Sequence, residues 1–144
     1  MERTRKKPQE FLIDTNIFLE FLLEQERTKE CIALMRLIER GSRTAYVTSF
    51  TLHGIEVILD RLKKTRELER FLDRVVNAKG LTVYPTSPEE EKAAIGFEKK
   101  FSLDFDDALH YYVARTLDLT LISFDRDFDR TDIKREESAA ILEK

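Results

Sequence analysis

The residues with the most chemistry to offer in this sequence are carboxylates. Asp14 directly follows the apolar run Phe11-Leu12-Ile13, and Asp125 directly follows Leu121-Ile122-Ser123-Phe124, so each stands where a short buried strand would end. Glu56 falls four residues after Leu52 and three before Leu59, on or beside the stripe Leu52, Ile55, Leu59, Leu62 that a helix would turn inward. Asp107 comes three residues after Asp104, a pair that reads as a helix cap and a first-turn acid favoured by the helix dipole. Capping is a sufficient account of Asp104, whereas Asp107 is also free to point at the edge of a sheet; Asp106 is expected to be exposed. Each acid has an ordinary reading when taken singly. Asp14 can cap a helix, Glu56 can pair with a Lys or Arg or sit exposed at the edge of its stripe, and Asp125, Asp127 and Asp129 alternate with Arg126, Phe128 and Arg130 as a solvated loop would. Taken together they are different. Carboxylates gathered at one buried edge repel one another and cost several kcal/mol unless protonated or neutralised. A divalent cation does this, and oxygen donors without a His or Cys set select Mg²⁺ or Mn²⁺ over zinc.

The elements that would position these acids follow from the apolar periodicity. Strands are predicted at Phe11–Ile13, Ala45–Val47, Leu81–Tyr84 and Leu119–Phe124, with a further one near Ile133 or Ile141. Helices are predicted after Asp14, from Thr28 to Gly41, from Thr48-Ser49 to Leu62, and from Leu68 to Gly80. Ser87-Pro88-Glu89-Glu90 is a capping box with proline at the first helical position, and it opens a helix reaching about Phe101. Another helix starts at Asp104 and is apolar on most sides, as a central helix would be. Short apolar strands alternating with helices imply an α/β fold, a three-layer α/β/α sandwich around a central parallel sheet. In such sheets ligands bind beyond the carboxyl ends of the strands, where strand order reverses. That is where Asp14 and Asp125 are expected.

The bulk composition excludes several classes. With 144 residues and 42% hydrophobic composition, the chain, residues 1–144, is expected to form one domain. The basic opening MERTRKKPQE is followed by too short an apolar run for a secretory leader, and no stretch approaches the ~20 apolar residues of a membrane span. A cytoplasmic protein is expected, with its single Cys31 a reduced structural thiol. Charged residues make up 37% of the chain, yet the net charge is −3, so no basic coat for nucleic acid exists and any such contact must be local. His53 and His110 are isolated, each expected at the surface or hydrogen-bonded in the core. Four glycines leave little material for a phosphate-cradling loop.

Read in order, FLIDTNIFLEFL, TSFTLHGIEVILDR, LDFDDALHYYVAR and LISFDRDFDR resemble the motifs of the PIN-domain nucleases, over nearly the whole stretch from Phe11 to Phe128. The strand-end aspartate of that family, with the Thr and Asn after it, falls on Asp14, Thr15 and Asn16. The mid-chain helical glutamate falls on Glu56, the aspartate before Ala-Leu on Asp107, and the strand-end Ser-x-Asp on Ser123 and Asp125, with Asp127 as an accessory acid. The resemblance implies metal-assisted hydrolysis of RNA phosphodiesters. Asp14, Glu56, Asp107 and Asp125 would be metal ligands for Mg²⁺ or Mn²⁺, and Thr15, Asn16, Ser123 and Asp127 would orient them or contact phosphate. It further implies a homodimer and, for a chain this compact, the toxin of a toxin–antitoxin pair with a separate antitoxin as partner. Arg61, Lys63, Lys64, Arg66, Lys99 and Lys100 are candidate contacts to the RNA backbone. Two other readings stand beside this one: a PIN-fold module that binds RNA or assembles in RNA processing and cleaves weakly, and a phosphotransfer domain built on Asp14. The second wants a lysine and a hydroxyl at later strand ends, and only Ser123 qualifies.

Overall fold

The computed structural model describes residues 8–143, so the basic opening before Pro8 lies outside the described residues. Five strands, β1 (Glu10–Ile13), β2 (Thr44–Thr48), β3 (Leu81–Tyr84), β4 (Thr120–Ile122) and β5 (Arg135–Glu136), form one sheet in the order β3-β2-β1-β4-β5. Every pairing is parallel. Helices α1 (Thr15–Leu22), α2 (Thr28–Glu39), α3 (Ser49–Arg61), α4 (Thr65–Asn77), α5 (Pro88–Phe101), α6 (Phe105–Leu117) and α7 (Ser138–Leu142) connect and cover it, with a 3-10 turn at Arg126–Arg130. None of the described helices is long and apolar enough to cross a membrane.

The alternation of side chains along each strand builds the layers. Phe11, Ile13, Ala45, Val47 and Ile122 face one side and pack with Ile17, Phe18, Leu34, Ile38, Ile55 and Phe71 of the first four helices. Leu12 and Leu121 face the other side, against Ala94 of α5 and Leu109, Val113 and Ala114 of α6. The architecture is the three-layer α/β/α sandwich that the pattern predicts. The chain fills one half of the sheet through β3, then crosses over to β4 and β5, so the reversal of strand order falls between β1 and β4.

Glycines and the tail refine the sequence reading. Gly41 adopts φ +82°, and its N–H bonds to the Ile38 carbonyl, ending α2 as expected of a left-handed cap. Gly80 does not close a helix, since α4 ends at Asn77. A Cβ on Gly80 would come within 2.2 Å of the Arg43 carbonyl oxygen and 2.7 Å of that of Ile38, so the residue is bare where two backbone segments meet. The last strand is Arg135–Glu136, just past Ile133 and so near the first of the two expected places, while Ile141 is in no strand. Its two side chains are half-buried and charged, which leaves no apolar signal. Ile141 is instead buried in α7, which packs on α2; there Ser138 Oγ lies 3.7 Å from Cys31 Sγ and donates to Glu30 at 2.9 Å.

Candidate metal centre

Asp14 continues the β1–β4 ladder, its N–H donating to the Ile122 carbonyl at 3.0 Å. Its extended backbone makes it the residue that precedes α1, but its side chain caps nothing. The carboxylate is 2% exposed. Oδ2 accepts the Ser123 hydroxyl proton at 2.6 Å, while Oδ1 is buried without a hydrogen-bond partner. Ser123 has one proton to give, and its oxygen in turn accepts the Asp125 N–H at 3.0 Å. One hydroxyl therefore ties the end of β1 to the residue that leaves β4. The Asp125 side chain accepts the Asp127 N–H at 2.9 Å and so opens the 3-10 turn.

The opposite wall is the first turn of α6. Asp104 caps that helix as expected, accepting the Asp107 N–H at 3.0 Å. Asp106 is not the exposed acid the sequence suggests: its side chain is 40% exposed, but Oδ1 is buried and has no hydrogen-bond partner. The helix meets the end of β1 at this turn, and both Asp106 and Asp107 are drawn into the contact. Asp14, Asp106, Asp107 and His110 each bring one ligand atom within 4.8 Å of the others, and so do Asp107, Asp125 and Asp127. Asp107 belongs to both groups. Burial above all, then the charges of Asp104, Asp14, Asp125 and Asp106, push its carboxyl up to about 8. Burial also raises Asp106, against the opposing pull of His110.

Among the described residues, no lysine or arginine forms an ion pair with Asp14, Asp106, Asp107 or Asp125. A buried carboxylate oxygen without a donor, surrounded by acids that resist ionisation, fits a hard divalent cation held by oxygen ligands. Asp14, Asp107 and Asp125 are thus gathered by the two overlapping groups. Glu56 is in neither. It sits half-buried on α3 with Oε1 2.9 Å from His53 Nδ1, a partner other than the lysine or arginine considered from sequence.

The accessory residues divide in the same way. Thr15 shares a 2.9 Å hydrogen bond with Thr51, and Asn16 is exposed on the first turn of α1. Asp127 is exposed and paired with Arg130 at 3.0 Å, although its carboxylate also joins the second acid group. Arg130 further donates to the Phe101 and Ser102 carbonyls, which brings the end of α5, with Lys99 and Lys100, against the 3-10 turn. Lys100 lies over the Phe97 and Phe101 rings at 5.9 and 5.3 Å. Arg61 ends α3, a helix of 13 residues, about 20 Å from its Thr48 cap, with Lys63 and Lys64 in the turn beyond it and Arg66 at the start of α4. His110 is fully buried and hydrogen-bonded, one of the two readings open to it. Sequence reasoning missed Asp106, Thr51 and the proximity of His110 to the acids. The spacing of His110, four after Asp106 and three after Asp107, was the available signal, since both place it on one helix face.

The sequence matches the family model described as "PIN domain" over residues 11–134. Solved structures resemble this one as well, three of them as follows. VapBC2 from Rickettsia felis, bound to a DNA fragment from its promoter, aligns with a TM-score of 0.66 and 15% identity, covering 90% of this chain and 98% of that one. VapC20 from Mycobacterium tuberculosis, described as a sarcin–ricin loop cleaving toxin, aligns with a TM-score of 0.69 and 16% identity over 85% and 95% of the two chains. A toxin–antitoxin complex from Klebsiella pneumoniae aligns with a TM-score of 0.61 and 20% identity over 81% and 88%. At these identities the likeness is one of fold. A search of curated proteins finds no match.

Proposed function

The chain belongs to the PIN domain family, as the match over residues 11–134 shows, and from that premise we propose that it is a Mg²⁺- or Mn²⁺-dependent ribonuclease, the toxin of a toxin–antitoxin pair, acting in the cytoplasm as a homodimer. The observation that carries this reading is the buried, unpartnered Oδ1 of Asp14 at the reversal of strand order, facing acids that no arginine or lysine among the described residues neutralises. The resemblance to toxins and to a toxin–antitoxin complex supports the biological half of the reading. An antitoxin would be a separate protein.

Asp14, Asp107 and Asp125 would hold the ion, with Asp106 beside them and Glu56 at the rim. A bound divalent ion supplies an acidified water and stabilises negative charge on a phosphodiester. The chain's own residues prepare for it. Ser123 fixes the rotation of the Asp14 carboxylate by donating to Oδ2, which leaves Oδ1 turned into the site. Burial and the neighbouring acids raise the Asp107 carboxyl to about 8, and a bound cation would favour its ionised form by offsetting their charge. Exposed Asn16 and the adjoining Thr15 stand on the first turn of α1, where backbone N–H groups favour a phosphate. Lys99 and Lys100 stand in the last turn of α5, next to the Phe101 and Ser102 carbonyls that accept from Arg130 of the 3-10 turn, and are assigned to the RNA backbone.

The test is cleavage of a single-stranded RNA by purified protein with and without millimolar Mn²⁺. Divalent-dependent cleavage abolished by chelation is expected. A protein that binds the RNA without cutting it under any divalent condition would be the weakly cleaving module instead.

A further inference from the structure

Both ring nitrogens of His110 are occupied although the side chain is only 1% exposed. Nδ1 lies 2.9 Å from the carbonyl oxygen of Asp106, one turn earlier. A carbonyl only accepts, so Nδ1 carries a proton. In the neutral ring Nε2 is then the acceptor, and it takes the hydroxyl proton of Thr51 at 3.0 Å. With that proton committed, the Thr51 oxygen accepts from the Thr15 hydroxyl at 2.9 Å. A directed chain runs from Thr15 through Thr51 and His110 to Asp106.

The chain joins three elements. Thr15 follows Asp14 at the start of α1, Thr51 lies in the first turn of α3, and Asp106 precedes Asp107 in the first turn of α6. The same Nδ1 lies 3.4 Å from Asp106 Oδ1 and 3.8 Å from Asp14 Oδ1, the two carboxylate oxygens without hydrogen-bond partners. These separations set the Nδ1 edge of the ring beside both acids. Thr51 is itself anchored, its N–H donating to the Thr48 side chain at 3.0 Å.

We propose that His110 is the positioning residue of the metal centre: through Thr51 and Thr15 it fixes α6 and α3 against the end of β1, so that Asp14, Asp106 and Asp107 keep the separation a divalent cation requires. It touches neither cation nor RNA. The inference rests on the metal-dependent reading above and adds to it a residue outside the acid set. An apolar residue would fill the same volume but would leave the Thr15–Thr51 pair without direction and the two acids without the Nδ1–H beside them.

The test is direct Mn²⁺ binding by calorimetry to the full metal-free chain, with its melting temperature recorded alongside. His110→Leu removes both polar contacts, His110→Asn keeps a donor near the Nδ1 position, and Thr51→Val cuts the chain while keeping the backbone N–H that bonds Thr48. His110→Leu is expected to weaken Mn²⁺ binding about tenfold or more and Thr51→Val several-fold, with His110→Asn recovering most of the loss. These changes should not follow the order of the metal-free melting temperatures. Parental affinity in both His110→Leu and Thr51→Val overturns the proposal, as does affinity that falls only in step with melting temperature. Should His110→Leu fail to fold, parental affinity in Thr51→Val overturns it alone. Absence of Mn²⁺ binding by the parent overturns the metal reading and this inference together, whereas binding indifferent to the variants overturns only the inference.

Discussion

Asp129 and Asp132, in the turn that leads to β5, each have an arginine. Arg135 grips Asp129 through two nitrogens at 2.9 and 3.1 Å, and its hydrogen bonds hold that carboxyl below the usual range. Arg115 pairs with Asp132, which also accepts the Tyr111 hydroxyl at 2.7 Å. Among the described residues, the acids at the end of β1 and the start of α6 have no such partners, and there Asp107 is pushed up to about 8. Both regions are rich in aspartate, and in the sequence the exposed one looks the richer. Counter-charge separates them. Acids matched by arginines are a surface network, while acids left to one another in a buried notch require a ligand from outside the chain. Asp127 stands between the two, paired with Arg130 yet within reach of Asp107 and Asp125.

The largest expected effect is at Asp14. Asp14→Asn should lower divalent-dependent RNA cleavage by roughly two to three orders of magnitude, in line with the loss of one preorganised charge at a reaction centre. The same variant should melt no lower than the parent in the absence of metal, because like-charge repulsion is relieved. Saturating Mn²⁺ should raise the parent's melting temperature by roughly 5–10 °C and that of Asp14→Asn by much less, measured by scanning calorimetry. A parental cleavage rate in Asp14→Asn would erase the distinction between the two regions.

The next effect is a pH dependence of opposite sign in each. The folded pKa of Asp107 lies near 8, above its ordinary 3.8, so between these values the native state binds more protons than the unfolded state. Metal-free stability should therefore fall as pH rises from about 5 through 8. Asp107→Asn should flatten that slope in melting curves taken across the window. Asp129 is depressed, so its contribution is present at neutral pH and lost on acidification through its folded pKa. Smallest is the effect of Asp129→Asn itself, which should leave RNA cleavage within a few-fold of the parent, since the residue is exposed and tied to Arg135. That variant losing activity as Asp14→Asn does would show the matched acids to be part of the centre.

Much of the fold could be read before the structure because its cues were local. Ser87 accepts the Glu90 N–H at 3.2 Å and Glu90 accepts the Ser87 N–H at 3.0 Å, the reciprocal cap written in four consecutive residues. Asp14 was legible because an apolar run stops there. Asp106 was not, since whether both of two adjacent acids turn inward depends on how α6 meets β1, and no periodicity encodes that contact. β5 could be placed only loosely, near Ile133 or Ile141, for a related reason: a two-residue edge strand of Arg and Glu is held by backbone pairing to β4, not by apolar side chains. For Glu56 the helical stripe predicted its half-buried side, but a face says nothing about the distance from Glu56 to acids on other elements.

Cys31 lies beneath α7, its thiol pushed up to about 11 by burial and in contact with Ser138 of that short helix. Only the thiolate reacts with alkylating reagents. The docked protein should therefore be silent to them, and any modification must wait for α7 to lift away. The rate of labelling at this one sulfur then becomes a clock for the undocking of the last helix, a local opening that global melting does not resolve.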